Sequence, residues 1–308
     1  MHFINFQQTS AEDLENLIRL SLEIKKAPEV YSTSLSGKSM YMLFQKTSTR
    51  TSLSFSMGMQ ELGGRCFLQN WNDSNFTVGE IRDEIRYVSS CTDLVMARLK
   101  HNRDIQEMAE FSFVPVINGC CDQFHPCQAL ADFLTIKETF GHFHIKMLYI
   151  GIRNNVLNSL AEGCIKLGIT LYAFTPIINE ASFIPELYKA AAGTGYFKEV
   201  PDSLTPSELS DMIQQMDVVY TDSWVDMEFF HNKNFQEMKA HRIQKMLPYQ
   251  INQKLIGNAS VLLLHDMPMH PGCEISRETA ELHMPDILRQ AQNRKHAEKG
   301  LLLTLLNE

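Results

Sequence analysis

Several polar residues sit where a folded chain places chemistry, directly after short apolar runs. Ser48-Thr49-Arg50-Thr51 follows the run Tyr41-Met42-Leu43-Phe44. Hydroxyls, a guanidinium and the free N–H groups of a helix start together suit a phosphate. The plainer reading of the same residues is a Ser/Thr helix cap. The glycines of G-x-x-x-x-G-K-[ST] are absent, so this is not a P-loop. Other polar residues repeat the placement. Arg98 follows 93–97, Asn118 follows 114–117 with His125 shortly after, and Arg153-Asn154-Asn155 follows 147–150. Asp222 follows 217–220, and His265-Asp266 follows 261–264.

Other chemistries find less support. Gly151-Ile152-Arg153-Asn154-Asn155 lacks the G-x-G-x-x-G of a dinucleotide turn. Cys120, Cys121, His125 and Cys127 do not have the spacing of a zinc site, and small buried cysteines are the plainer reading. No serine lies in G-x-S-x-G.

The elements that must position these residues alternate. Ser10 with Asp13 resembles a capping box, and Leu14, Leu17, Ile18 and Leu22 follow one helical face. Residues 41–44 read as a buried strand and 51–62 as a helix closed by Gly63-Gly64. Strands are expected at 93–97 and 114–117, then a helix over 125–140. A second alternation follows: strand 147–150, helix 155–168, strand 169–174, and strands 217–220 and 261–264. Strands separated by helices imply parallel sheets with helices on both faces. The expected fold is α/β, with two doubly wound parallel-sheet domains, 1–140 and 141–284. The last segment, 285–308, reads as a helix packing back on the first domain. Ligands of open α/β sheets bind outside the carboxyl ends of the strands, so the polar residues would share one cleft between the domains.

The 308 residues suffice for two domains, and the formal net charge is −8. An acidic chain without a basic stripe is a poor nucleic-acid binder. No apolar run approaches the roughly 20 residues of a membrane helix, and the N-terminus lacks the features of a secretory signal. Seven scattered cysteines do not form a disulfide framework, which points to a reduced cytoplasmic setting.

Taken in order, these segments resemble the aspartate/ornithine carbamoyltransferase family, its ornithine branch most closely. Phe44-Gln45-Lys46-Thr47-Ser48-Thr49-Arg50-Thr51 resembles the S-T-R-T-R signature, and His125-Pro126-Cys127-Gln128 the H-P-x-Q motif. Asp222-Ser223-Trp224 resembles the D-x-W segment, and Asn293-Arg294-Lys295-His296 the N-R-x-H of the last helix. Pro248-Tyr249-Gln250-Ile251-Asn252 is also similar. The resemblance implies transfer of a carbamoyl group from carbamoyl phosphate to an amine, giving citrulline when the amine is ornithine. It implies no metal and no organic cofactor, and a homotrimer whose loop near Asn75 reaches a neighbouring site.

By position, Ser48, Thr49, Arg50 and Thr51 would hold the phosphate. Arg98 would reach phosphate and carbonyl oxygen, and His125 and Gln128 the carbamoyl end. The backbone carbonyls of Asp266 and Met267 would accept from the carbamoyl nitrogen, and Arg294 would complete the site. Arg98, His125 and Arg294 are the catalytic candidates. Asn155, Asp222, Asp226 and Met227 would position the amine.

The chain departs from the pattern on the amine side. Ser52 stands where the signature ends in Arg, Asp226-Met227-Glu228 where S-M-G is usual, and His265-Asp266-Met267-Pro268 where H-C-L-P is usual. Asp226 also suits a helix N-cap. Two alternatives therefore stay open: a carbamoyltransferase for a modified ornithine or a diamine, and a non-catalytic binding or regulatory relative.

Overall fold

A computed structural model describes residues 1–225 and 233–306. The first sheet contains β1 (Ser39–Phe44), β2 (Arg65–Asn70), β3 (Leu94–Arg98) and β4 (Val116–Cys120), in the order β2-β1-β3-β4, all parallel. The second contains β5 (Lys146–Arg153), β6 (Thr170–Ile178), β7 (Phe197–Glu199), β8 (Val218–Thr221) and β9 (Leu262–His265). Its order is β7-β6-β5-β8-β9, again all parallel. The helices are α1 (Ala11–Lys26), α2 (Thr49–Glu61), α3 (Ile81–Cys91), α4 (Asn102–Phe111), α5 (Pro126–Phe140) and α6 (Asn155–Leu167). They continue as α7 (Pro185–Gly193), α8 (Pro206–Ile213), α9 (Gln236–Met246), α10 (Gln253–Ile256), α11 (Arg277–Leu282) and α12 (Met284–Leu306).

Alternation along β1 explains why the first sheet is covered on both faces. Met40, Met42 and Phe44 pack with Phe55 and Met59 of α2. Tyr41 and Leu43 point the other way, into a layer with Ile85 of α3 and with Ile105 and Met108 of α4. In the second sheet, Met147 and Tyr149 share a core with α5 and α6, while Leu148 and Ile150 pack with Leu209 and Ile213 of α8. Burying each such side chain contributes roughly 1.5–3 kcal/mol.

Helices α1, α5, α6 and α12 fill the space between the sheets, and α12 packs on α1, α2 and α5. Two glycines allow this close approach. A Cβ on Gly163 would meet the Phe133 ring at 2.1 Å, and one on Gly300 would lie 2.2 Å from Ser21 Oγ.

The structure adds two features that the sequence pattern did not expose. The strand β2 has no buried residue along its length and lies at a sheet edge, so its apolar spacing carries little signal. The strand expected at 114–117 runs on to Cys120, which places Asn118 inside it rather than at its end. Asn118 Nδ2 donates to the Ile4 carbonyl at 3.0 Å, fastening the N-terminal segment to the sheet edge. Asn118 is thus structural, not part of the cleft. Among the described residues no helix is long and apolar enough to cross a membrane.

Candidate active site

The carboxyl ends of both sheets open onto one cavity of about 320 Å³. Gln45, Lys46, Thr47, Arg98, Cys120 and His125 line it from the first half, and Asn154, Asn155, Asp222, Ser223, Asp266 and Met267 from the second. A second cavity, on the other side of the loop 45–47, is lined by Ser48, Thr49, Ser52, Asn72 and Asp73 among others. The phosphate-signature loop thus separates an inner cleft from an outer one.

Ser48 caps α2, its Oγ accepting from the Thr51 N–H at 3.2 Å. The cap sets the first turn, from which Arg50 crosses the cleft. Its Nη2 donates to the backbone carbonyl of Met267. Met267 adopts a left-handed backbone with φ of 61°. Its N–H donates to His265 Nδ1 at 2.7 Å, while His265 Nε2 faces Glu274 Oε1 at 3.2 Å. The buried His265–Glu274 pair therefore holds the turn that carries Asp266. Burial weighs against the charge of Arg50, with Asp266 and Asp222 partly answering it and Arg294 and Arg98 adding repulsion.

Thr51 is fully buried, and its hydroxyl accepts from Arg294 Nη2 at 2.8 Å. Arg294 reaches the site from α12, and its Nε lies 3.8 Å from Glu298. Thr51 and Arg294 thus form a layer behind the cavity wall. Arg98 ends β3 on the wall itself, with its Nε buried and without a hydrogen-bond partner.

His125 precedes α5, and its N–H donates to Ser159 Oγ at 2.8 Å, which ties α5 to α6. Its ring is 4% exposed, and Nδ1 has no hydrogen-bond partner. Burial first, then the nearby Arg294, Arg98, Arg50 and Lys46 charges, hold its pKa well below the usual imidazole value. At neutral pH it is an uncharged imidazole able to donate from one nitrogen. Gln128 lies behind it, 1% exposed and off the cavity wall. Its Nε2 donates to Asp132 Oδ1 at 2.8 Å, and its Oε1 stays unpaired.

On the opposite wall, Asn154 has two roles. Its Oδ1 accepts from the Val156 and Leu157 N–H groups, capping α6, while its Nδ2 donates to Asp222 Oδ2 at 2.8 Å. The Ser223 N–H donates to Asp222 Oδ1 at 2.7 Å. Burial, and next the charge of Asp266, still push the Asp222 carboxyl well above the usual range. Asn155 Nδ2 donates to the Cys121 carbonyl at 2.7 Å.

Sequence reasoning did not assign Lys46, Cys120 or Ser223 to the cavity, whereas Asn154, expected there from its place after a strand, does line it. For Lys46 the available signal was its place shortly after a strand. Arg153 stands apart from the cavity: its guanidinium lies 4.6 Å over the Tyr188 ring and pairs with Glu199 at 2.9 Å. Asn75 is exposed and lines neither cavity. Asp226 and Met227 lie outside the described residues. The cysteines near His125 have separate partners: Cys127 Sγ faces the Asn118 carbonyl and Cys121 Sγ faces Asn102 Oδ1. Burial pushes the Cys121 thiol up to about 12.

Comparison with known proteins matches residues 1–138 to the carbamoyl-P binding domain of aspartate/ornithine carbamoyltransferase. Residues 144–305 match the Asp/Orn binding domain of the same group. The chain belongs to the aspartate/ornithine carbamoyltransferase family. It is 35% identical to an ornithine carbamoyltransferase of Shewanella oneidensis over 309 residues, covering 99% of each chain. Solved structures agree. The anabolic ornithine carbamoyltransferase of Campylobacter jejuni superposes with a TM-score of 0.87 at 30% identity, over 99% of both chains. That of Pyrococcus furiosus gives 0.86 at 32% identity, over 99% of this chain and 97% of that one. The division between the two family domains falls where the chain passes from α5 to β5, so the cleft lies between a carbamoyl-P domain and an Asp/Orn domain.

Proposed function

We propose that this chain transfers the carbamoyl group of carbamoyl phosphate to ornithine, giving citrulline and phosphate. One observation carries the reading: a wall bearing Arg98 and His125 faces a wall bearing Asp222 and Asp266 across a single cavity. Carbamoyl phosphate is a small dianion, which Arg50, Arg98 and Arg294 offset. As the amine attacks, the carbonyl oxygen becomes negative, and Arg98 with the neutral His125 supplies donors already in place. Holding the amine beside the carbonyl supplies much of the remaining rate. Ser48, Thr49 and the start of α2 hold the phosphate, and Thr51 keeps Arg294 in place behind it. The phosphate takes Arg50 from the Met267 carbonyl, which frees that carbonyl for the carbamoyl NH2. Gln128 Oε1 is a further acceptor for the same group. Asn155 and Asp222, with Asp226 and Met227 by family position, hold the amino acid.

The working form is a homotrimer in the reducing cytoplasm. Seven free cysteines support the compartment. Exposed apolar residues on the first domain, Phe67, Val78 and Tyr87, support assembly through that half. Sedimentation is expected to give a trimer, and a fully active monomer would contradict it.

The central test is citrulline formation from carbamoyl phosphate and ornithine, with phosphate release followed for a panel of amines. Release with ornithine preferred is the expected result. Release only with another amine refutes ornithine, and release with none refutes the transferase.

A further inference from the structure

Asp222 and Asp266 occupy equivalent places on neighbouring strands. Strands β8 and β9 pair in parallel with Thr221 opposite His265, so each aspartate is the first residue beyond the last paired position. Adjacent strands lie about 4.8 Å apart, which sets the two carboxylates side by side at the cavity wall. Their surroundings differ. Asp222 is 7% exposed and held by Asn154 and Ser223. Asp266 is half-buried, and its Oδ1 is shut off from solvent with no hydrogen-bond partner. Across the cavity stands a second buried atom without a partner, His125 Nδ1.

Charged and titratable groups surround Asp266 on several elements. Arg50 of α2 answers its charge. Asp132 of α5, Tyr149 of β5, and Tyr220 and Asp222 at the end of β8 are all pushed upward in part by it. Burial first, then the charge of Asp266 beside it, disfavour ionisation of Asp222.

We propose that Asp266 is a catalytic residue that recognises the acceptor as its ammonium form and removes its proton before attack. This rests on the carbamoyl-transfer reading and names the acceptor class as a cationic primary amine. The ammonium gives one proton to the Asp266 carboxylate and becomes R–NH2. Its lone pair forms the C–N bond at the carbamoyl carbon. The carbon–oxygen bond to phosphorus's oxygen breaks, and its electron pair stays on the phosphate. The second nitrogen proton goes to that phosphate, which leaves as HPO4 dianion. Asp266 then returns its proton to solvent.

The mechanism has a pH signature. A side-chain amine titrates near 10.4, so only about one molecule in a thousand or fewer is neutral at pH 7. An enzyme that accepts the ammonium form shows a level kcat/KM across pH 7–9. One that must await the neutral amine shows a kcat/KM climbing about tenfold per pH unit.

The experiment compares the full-length protein with Asp266→Asn and Asp266→Cys, using ornithine and putrescine. Calorimetric binding of carbamoyl phosphate confirms that each variant keeps a folded phosphate site. The expected result is a kcat/KM lower by about a hundredfold at pH 7, in line with general-base contributions, and approaching the wild type as pH rises to 9. Unchanged rates, or a loss by the same factor at every pH, overturn the proposal. If the wild type carbamoylates no amine, the functional reading fails separately. Asp266 is then judged by ornithine and putrescine binding in saturating phosphate: weaker binding in both variants supports ammonium recognition, and equal binding removes it.

Discussion

The two halves of the cleft carry opposite charge and reach it by different construction. On the carbamoyl-P side, guanidinium groups arrive from three separate elements: Arg50 from α2, Arg98 from β3 and Arg294 from α12. On the other side, Asp222 and Asp266 come from two adjacent strands at one register position. The cationic side is assembled from long side chains: Arg98 stands on the wall, Arg50 reaches the Met267 carbonyl and Arg294 lies behind Thr51. The anionic wall is fixed by the backbone of the sheet itself. A dianion with several oxygens can use donors from many directions, whereas the three N–H donors of an ammonium lie at one end and suit acceptors grouped side by side. Under the proposed function this contrast would sort the substrates, phosphate to the first domain and amine to the second, before any contact is specific.

The largest expected effect breaks the cationic wall. Arg98→Gln should lower kcat by about a hundred- to a thousandfold if, as proposed, Arg98 serves both the phosphate and the developing oxyanion. Arg50→Gln should chiefly weaken carbamoyl-phosphate binding, by about ten- to a hundredfold for one charge-assisted contact. Calorimetry with carbamoyl phosphate and steady-state kinetics separate the two. Near-normal affinity in both variants would show that the arginines do not converge on one anion.

Breaking the other wall should act on the amine. Asp222→Asn keeps the size of the side chain and cannot ionise, and Asn154 and Ser223 then face an amide. The expected outcome is a rise of about tenfold in the KM for ornithine with carbamoyl-phosphate affinity unchanged, corresponding to roughly 1.4 kcal/mol. A parallel loss of carbamoyl-phosphate binding would mean that the walls do not act separately, and the division of labour would be wrong.

Much of this contrast was legible in the sequence because strand ends announce themselves. Ser48, Arg50, Arg98, His125, Asp222 and Asp266 were all marked by polar residues following short apolar runs, and the fold class followed from the same alternation. What escaped was whatever lacked a periodic signal. The edge strand β2 exposes both its faces, so no apolar pattern marked it. Asn118 looked like a strand end because Gly119 and Cys120 do not resemble strand residues, yet the strand continues through them. Asn154 was marked by its place after a strand; it also caps α6, and its hydrogen bond to Asp222 reaches a residue 68 positions away in sequence. Nor could the sequence separate Arg98, on the wall, from Arg294, behind it. That distinction depends on how α12 packs against α2, with Lys295 and Lys299 both bonded to Glu61.

The effect furthest from the reaction acts on stability rather than turnover, and concerns what balances the cationic wall from behind. Glu298 is fully buried on α12, and neither of its carboxyl oxygens has a hydrogen-bond partner of good geometry. Burial pushes its carboxyl up from 4.5 to about 8, against the pull of Arg294. The unfolded chain ionises this group near the ordinary value, while the folded chain keeps its proton until about pH 8. Between those limits the folded state binds the extra proton, so its contribution to stability falls as pH rises. Glu298→Gln keeps the shape and cannot ionise. The variant should match or trail the wild type near pH 4.5, gain on it as pH rises, and level off above about 8. The gain should reach a few kcal/mol, at about 1.4 kcal/mol for each pH unit across that range. Urea unfolding across that range measures it. A constant difference at every pH would mean that Glu298 is already ionised beside Arg294, and the charge behind the phosphate wall would then be neutralised rather than left for the substrate.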